Sequence, residues 1–212
     1  MKLYTFPLSP NCRRVQLVAA TLGSSFDEEE VVDVSTGAQQ SPEYLGINPN
    51  GLVPTLVDGD LKLWESRAII EYLAARHPGS GLQGASDTER ADIGRWLCWD
   101  AGHLAPEVFT LVFENMLKAL LNLGTADQAK CDAASEQLSR YFGVLDKSLA
   151  GKTHLVGNRL TLADLCVAAT LTYHAELGMP IASHSNLNAW FGRITASDAW
   201  VKTQPKLPEM AA

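Results

Sequence analysis

The spacing of apolar residues changes near residue 80, and this change limits the possible folds more than any other feature of the sequence. Before it, short strand patterns alternate with helical ones, in the order strand, helix, strand, hairpin, helix. After it, only helical periodicity occurs. A chain of 212 residues is long enough for two small domains. The sequence therefore predicts an α/β domain over residues 1–80 and an all-helical domain over residues 87–204.

Local signals place the elements within each predicted domain. Asp58-Gly59 between two apolar runs is typical of a hairpin turn. Ser9-Pro10 and Ser41-Pro42 are each a preferred helix start, with Ser as the N-cap and Pro in the first turn. The expected strands are residues 2–6, 26–34, 54–57 and 61–63. The expected long helices of the second domain are residues 87–123, 127–149, 162–177 and 187–194.

Charge, hydropathy and cysteine spacing exclude several classes of protein. The formal charge is −7 and there is no run of basic residues, which argues against nucleic-acid binding. The longest nearly charge-free stretch, residues 165–175, is too short for a membrane helix, and the N-terminus lacks the pattern of a signal peptide. Four cysteines without metal-ligand spacing indicate reduced thiols and no metal site. We therefore expect a cytoplasmic protein.

Three motifs in the first 80 residues are candidates for ligand binding or catalysis. Ser9 at a helix start lies beside free backbone N–H groups and the positive end of the helix dipole, which favours an anion, although most such serines are only caps. Pro54 directly before an apolar strand is explained by a cis Val53-Pro54 bond or by an edge strand that begins with proline. Glu65-Ser66 at another helix start can hold the ammonium and carboxylate of an amino acid, or can simply complement the dipole.

Together these motifs resemble the N-terminal domain of cytosolic glutathione transferases, particularly the classes with an active-site serine (phi, theta and zeta-like) and bacterial relatives. The resemblance rests on Ser9 to Arg13, on Asn48-Pro49-x-Gly-x-Val-Pro54, and on Asp58 to Ile69. It continues through residues 155–164, where Thr161 and Asp164 form a capping-box pattern with a structural role. It implies a thioredoxin-like N-terminal domain and an all-α helical-bundle C-terminal domain.

The resemblance also implies site residues and ligands. Ser9 would donate a hydrogen bond to the glutathione sulfur, and the thiolate would attack a small hydrophobic electrophile. The implied glutathione-binding residues are Gln39, Gln40, Leu52, Val53, Pro54, Glu65 and Ser66. The expected electrophile pocket contains Phe6, Leu8, Trp99, His103, Phe109, Phe113 and Met116. A homodimer is also expected. Cys12, one turn into the same helix, is the alternative to Ser9 beside the sulfur.

Two features leave other functions open. Many serine-type relatives carry basic residues where this chain has Gln39-Gln40, and often Gln where it has Leu52, so weaker glutathione affinity is expected. The same thiolate chemistry would serve a glutathione-dependent peroxidase or disulfide reductase. A non-catalytic transferase-like protein that binds other proteins is the remaining alternative.

Overall fold

The computed structural model describes residues 1–206, which divide into two compact units. The first unit contains Met1–Ser80 and the segment that begins at Asp198, and the second contains Gly81–Ser197. Within residues 1–206, no helix combines the length and the apolar composition needed to cross a membrane.

The first unit is built on a four-stranded mixed sheet. Its strands are β1 (Lys2–Thr5), β2 (Glu28–Val31), β3 (Thr55–Asp58) and β4 (Leu61–Trp64). The spatial order is β2-β1-β3-β4, with β1 parallel to β2 and antiparallel to β3. Helices α1 (Pro10–Thr21), α2 (Pro42–Leu45) and α3 (Ser66–Ala75) complete this α/β arrangement. Its core consists of fully buried apolar side chains from the sheet, α1 and α3, namely Leu3, Val15, Val18, Leu56, Ile69 and Leu73.

The strand β2 is shorter than the predicted residues 26–34. It pairs only with β1, in the register Lys2↔Glu28 to Thr5↔Val31. One backbone bond flanks each end, from Asp27 N to Met1 O and from Val32 N to Thr5 O. The length of β2 is therefore set by its four-residue partner and not by its own β propensity, which sequence reading overestimates.

The second unit is helical, as predicted. The first long helix runs from Asp87 to Leu120 as α4 (Asp87–Trp99), α5 (Ala105–Val112) and α6 (Lys118–Leu120), with π-helical turns at Asp100–Leu104 and Phe113–Leu117 between them. It is followed by α7 (Gln128–Ser148), α8 (Leu162–Thr170) and α9 (Ser185–Thr195). The fold class, an α/β domain followed by an all-helical one, is thus confirmed.

The helix α8 ends at Thr170, seven residues before the predicted end at Leu177. Beyond Thr170 the backbone bonds become i→i+3, from Leu171 N to Ala168 O at 2.9 Å and from Thr172 N to Ala169 O at 3.2 Å. The Thr172 hydroxyl also donates to Ala169 O, at 2.5 Å. Such side-chain bonds compete with helical backbone bonds. Successive turns follow up to Gly178, whose φ of 60° suits glycine.

The last helix of residues 1–206, α10 (Asp198–Lys202), belongs to the first unit, whereas residues up to 204 were expected in the helical domain. The reason is a contact with α1. Trp200 lies over the guanidinium of Arg13, with 3.8 Å between the guanidinium carbon and the ring centroid. Arg13 Nη2 also donates to Trp200 O at 3.2 Å. A buried cation is thereby covered by an aromatic face and a carbonyl.

Candidate functional site

The residue Ser9 begins α1, as predicted. Its backbone is extended (φ −84°, ψ 119°), and its Oγ accepts a hydrogen bond from Cys12 N at 3.4 Å. Pro10 occupies the first helical position, where no N–H is needed. The half-buried Ser9 hydroxyl therefore lies at the positive end of a twelve-residue helix.

The residue Cys12 lies in the core of the first unit. Its side chain is fully buried, and its Sγ accepts a hydrogen bond from Phe6 N at 3.3 Å. Burial raises the pKa of the Cys12 thiol above its usual range. Of the two candidates at this helix start, Ser9 is therefore the one with solvent access, and Cys12 is held as a neutral thiol.

The bond between Val53 and Pro54 is cis, which decides between the two interpretations of this proline. Two side-chain hydrogen bonds to the backbone hold the turn before this proline. Leu52 O accepts from Tyr44 Oη and from Asn48 Nδ2, each at 2.7 Å. Within residues 1–206, neither the N–H nor the C=O of Val53 forms a hydrogen bond. Both backbone groups are thus available to an extended peptide.

The start of α3 has an unusual backbone. Glu65 has φ 70° and ψ 107°, a conformation that costs a non-glycine residue about 1–3 kcal/mol. Its exposed carboxylate has no ion-pair partner among the described residues. Ser66 follows as the first residue of α3, and its Oγ accepts from Arg14 Nη1 at 2.6 Å. This helix start therefore presents an anionic side chain next to a backbone and hydroxyl that favour an anion.

One cleft brings these two segments together. The predicted residues Leu52, Val53, Pro54, Glu65 and Ser66 all line it. Sequence reasoning missed five other lining residues, which are Asn11, Asn48, Asn50, Trp64 and Arg67. Asn48 and Asn50 carried a signal, since they belong to the turn motif before Pro54. The cleft combines free peptide groups, an unpaired carboxylate and a helix start, which together suit a small zwitterionic peptide.

Comparison with known proteins identifies the family. The family model for the N-terminal domain of glutathione S-transferases matches residues 3–81, and the model for the C-terminal domain matches residues 103–198. Glutathione S-transferase 3 of Zea mays is 37% identical over 98% of this chain and 95% of its own length. The chain is a glutathione S-transferase.

Solved structures agree with this assignment. The apo form of glutathione S-transferase III has a TM-score of 0.87 at 36% identity, with 99% of each chain covered. Glutathione transferase F7 from Populus trichocarpa has a TM-score of 0.88 at 28% identity, covering 95% of this chain and 96% of its own. In the sequence comparison, glutathione S-transferase F10 of Arabidopsis thaliana is a further relative, 31% identical over 94% of both chains.

In this transferase, Gln39 and Gln40 lie beside the cis-proline turn and not among the lining of the cleft. They form a short 3-10 helix, Ala38–Gln40. Gln40 Nε2 donates to Gly51 O at 3.4 Å. The buried Oε1 of Gln39 has no hydrogen-bond partner among the described residues. Neutral amides therefore occupy this loop beside the cis-proline turn.

The residues predicted for the electrophile pocket lie on two segments, each in its own unit. Phe6 and Leu8 belong to the loop between β1 and α1. In the second unit, Trp99 and His103 have ring centroids 6.3 Å apart, and Tyr141, which sequence reasoning missed, lies 5.8 Å and 5.6 Å from them. Phe109 and Phe113 are stacked at 6.2 Å, and the half-buried Met116 lies one turn further on. Phe109 is 58% exposed, so an aromatic face is open on this helix.

Proposed function

We propose that this transferase conjugates the glutathione thiolate to small hydrophobic electrophiles, and that Ser9 stabilises the thiolate. One observation carries the proposal: Val53, with both backbone groups free before a cis proline, shares a cleft with the start of α3. An extended tripeptide bound to Val53 directs one end along this cleft toward the start of α3, and its other end points out of the cleft.

In this pose each part of glutathione has a partner. The cysteinyl unit pairs its backbone with Val53. The glutamyl end lies at the start of α3, where Glu65 accepts from the ammonium and Ser66 donates to the α-carboxylate. The glycine end lies toward Leu52, Gln39 and Gln40. Because these two amides are neutral, its carboxylate receives weaker hydrogen bonds than a basic loop would supply.

The chemistry takes place at the cysteinyl sulfur. A free thiol with a pKa of about 8.5 is only a few per cent ionised at pH 7, and each unit of lowering is worth about 1.4 kcal/mol. Ser9 donates its O–H to the sulfur at the N-terminus of α1, where the dipole favours negative charge. The thiolate then attacks the electrophilic carbon and forms the C–S bond. The leaving group departs with the bonding electron pair, and the thiol proton goes to solvent.

A matched pair of variants tests the role of Ser9. We expect Ser9→Ala to lower turnover of a chlorinated aromatic by about 10–100-fold, which corresponds to one to two units of thiol pKa. Cys12→Ala should retain most of the turnover, because Cys12 is buried as a neutral thiol. The thiolate absorbance of bound glutathione, followed against pH, checks the cause directly. Loss of activity in Cys12→Ala with Ser9→Ala unimpaired would overturn the assignment.

An organic peroxide as second substrate separates the transferase activity from its nearest rival. The burial of Cys12 removes the thiol that would form a mixed disulfide, which argues against the disulfide reductase. We expect faster turnover with the chlorinated aromatic than with the peroxide. Faster peroxide reduction would make this chain a glutathione-dependent peroxidase, and absence of both activities and of glutathione binding would favour a protein-interaction role.

The electrophile is expected to contact the aromatic side chains of the first long helix. The stacked and exposed ring of Phe109 supports this assignment. Phe109→Ala should raise the KM for the aromatic electrophile and leave the Kd for glutathione unchanged. The four cysteines are free, which supports a reducing compartment such as the cytoplasm. A homodimer in solution is the expected assembly, and sedimentation analysis tests it.

A further inference from the structure

A buried arginine lies directly behind the cleft. Arg14 belongs to α1 and is only 1% exposed. Its Nη1 donates two hydrogen bonds of 2.6 Å, one to Ser66 Oγ and one to Asn11 Oδ1. A guanidinium Nη carries two hydrogens, so both are used here. Ser66 and Asn11 both line the cleft.

These bonds fix which atoms of Ser66 and Asn11 accept hydrogen bonds and which are left to donate them. A guanidinium can only donate, so both oxygens must act as acceptors. The Ser66 hydroxyl hydrogen is then left for another acceptor, and no residue among 1–206 accepts it. Likewise, Asn11 has committed its oxygen, which leaves its Nδ2 amide group without an acceptor in the same part of the chain. Each residue therefore has a donor to offer to a ligand in the cleft.

We propose that Arg14 is a positioning residue that fixes Ser66 and Asn11 as a pair of donors, and that Asn11 is a second ligand of the glutamyl α-carboxylate of glutathione. This inference rests on the proposed function. Hydrogen bonds in a chain polarise one another, so the charged guanidinium strengthens the outer donors. A cation that is shielded from water thus acts on the anionic ligand through two neutral side chains, in a protein whose net charge is −7.

The competing explanation is that Arg14 only ties α1 to α3. The variant Asn11→Asp separates the two roles. An aspartate still accepts from Arg14, so the tie is kept or strengthened, and the exposed position tolerates the change. However, its second oxygen replaces the donor and faces the ligand carboxylate. A positioning role therefore predicts weaker glutathione binding at unchanged stability, and a structural role predicts unchanged binding.

Titration calorimetry with glutathione and with an analogue whose glutamyl unit lacks the α-carboxylate measures the effect. We expect Asn11→Ala to raise the Kd for glutathione by about 10–100-fold, as for the loss of a hydrogen bond to a charged group, and Asn11→Asp to raise it by at least as much. For the analogue, neither variant should change the Kd. The melting temperature of Asn11→Asp should not fall below the wild-type value, whereas that of Asn11→Ala should fall, because the buried Arg14 loses an acceptor. Gln16→Glu, which adds the same charge to α1 outside the lining of this cleft, should bind glutathione like the wild type.

Turnover tests Arg14 itself. Arg14→Lys keeps the charge and loses the forked geometry, so we expect a higher KM for glutathione with kcat largely retained, since Ser9 is not affected. If this variant does not fold, Asn11→Asp still decides the question.

The outcomes are distinguishable from failure of the proposed function. If the wild type does not bind glutathione, the proposed function fails. If the wild type binds and Asn11→Asp binds equally tightly, the positioning role is overturned. If Asn11→Asp weakens glutathione and the analogue to the same extent, Asn11 does not bind the α-carboxylate.

Discussion

We expect the stability of the fold to depend more on the number of hydrogen-bond acceptors at Asp164 than on the charge of its carboxylate. It is fully buried at the start of α8 and accepts four hydrogen bonds. Oδ1 accepts from Leu155 N and Trp190 Nε1, each at 2.9 Å. Oδ2 accepts from Thr161 N at 2.9 Å and from Thr161 Oγ1 at 3.1 Å. All four partners are donors, so an ionised carboxylate satisfies every one of them.

The substitution Asp164→Asn keeps the shape and replaces one oxygen by a donor. Turned toward Leu155 N and Trp190 Nε1, the amide nitrogen leaves both of these donors without an acceptor. Turned toward Thr161, it can donate to the hydroxyl, but Thr161 N and the amide hydrogen that faces it are both left without an acceptor. An orphaned buried donor costs about 1–3 kcal/mol, so two cost about 2–6 kcal/mol. An opposing effect exists, because burial raises the pKa of Asp164 and removal of the buried charge therefore recovers some free energy. We expect the lost acceptors to dominate, with a net loss of at least about 2 kcal/mol.

Thermal unfolding followed by circular dichroism measures this loss. For a chain of this length, 2 kcal/mol corresponds to a fall in Tm of roughly 4–8 °C. Asp87→Asn is the matched control, since it makes the same change in the first turn of α4 at a side chain that is 97% exposed. It should stay within about 1–2 °C of the wild type. An Asp164→Asn protein as stable as the wild type would refute the reasoning and show that burial of the charge outweighs the acceptor count.

Three further predictions concern acid stability, the cleft and thiol access. Arg159 lowers the pKa of Glu89 from its ordinary value of 4.5 to about 2, so this pair stabilises the fold above pH 4.5 and is lost between about pH 4.5 and 2. Glu89→Gln should therefore shift Tm downward at pH 6 and little at pH 2, and an equal shift at both values would contradict it. Gly51 has φ 60°, and an added Cβ would lie 2.4 Å from Gln40 Nε2. Gly51→Ala should raise the Kd for glutathione, measured by calorimetry, by distorting the turn before the cis proline; unchanged affinity would show that the turn adapts. Cys98 is the exposed cysteine, so a thiol reagent should modify one group rapidly in the folded protein, and mass spectrometry of the peptides should find the label there and not elsewhere.

Short-range signals predicted much of the fold and part of the site. Ser9 as a cap and the Thr161-Asp164 box each depend on residues close in sequence, where cap chemistry is specific. The hairpin at Gly59 is of the same kind. The cis bond before Pro54 was one of two interpretations, and the structure decides between them. Five of the seven residues expected to bind glutathione line the cleft, and five further lining residues were missed.

Three other features were not predicted: one contact between distant residues and two local departures from regular helix. Arg14 meets Ser66 across 52 residues, and its basic character alone suggests a surface position. The two π-helical turns have no signature in the apolar periodicity, because each is flanked by regular helix. The early end of α8 depends on which donors the last helical carbonyls accept, as Ala169 O illustrates by accepting from both N and Oγ1 of Thr172.

The contact between Arg13 and Trp200 joins two segments that are synthesised far apart in time. The two residues are 187 positions apart, so a ribosome completes β1 to α3 long before it releases the ring and the carbonyl that cover this guanidinium. During that interval Arg13, which is 2% exposed in the folded structure, lacks this cover. The first unit therefore reaches its final packing only after the second has been synthesised, and a fragment ending at Ser80 would lack the cover for one of its buried cations.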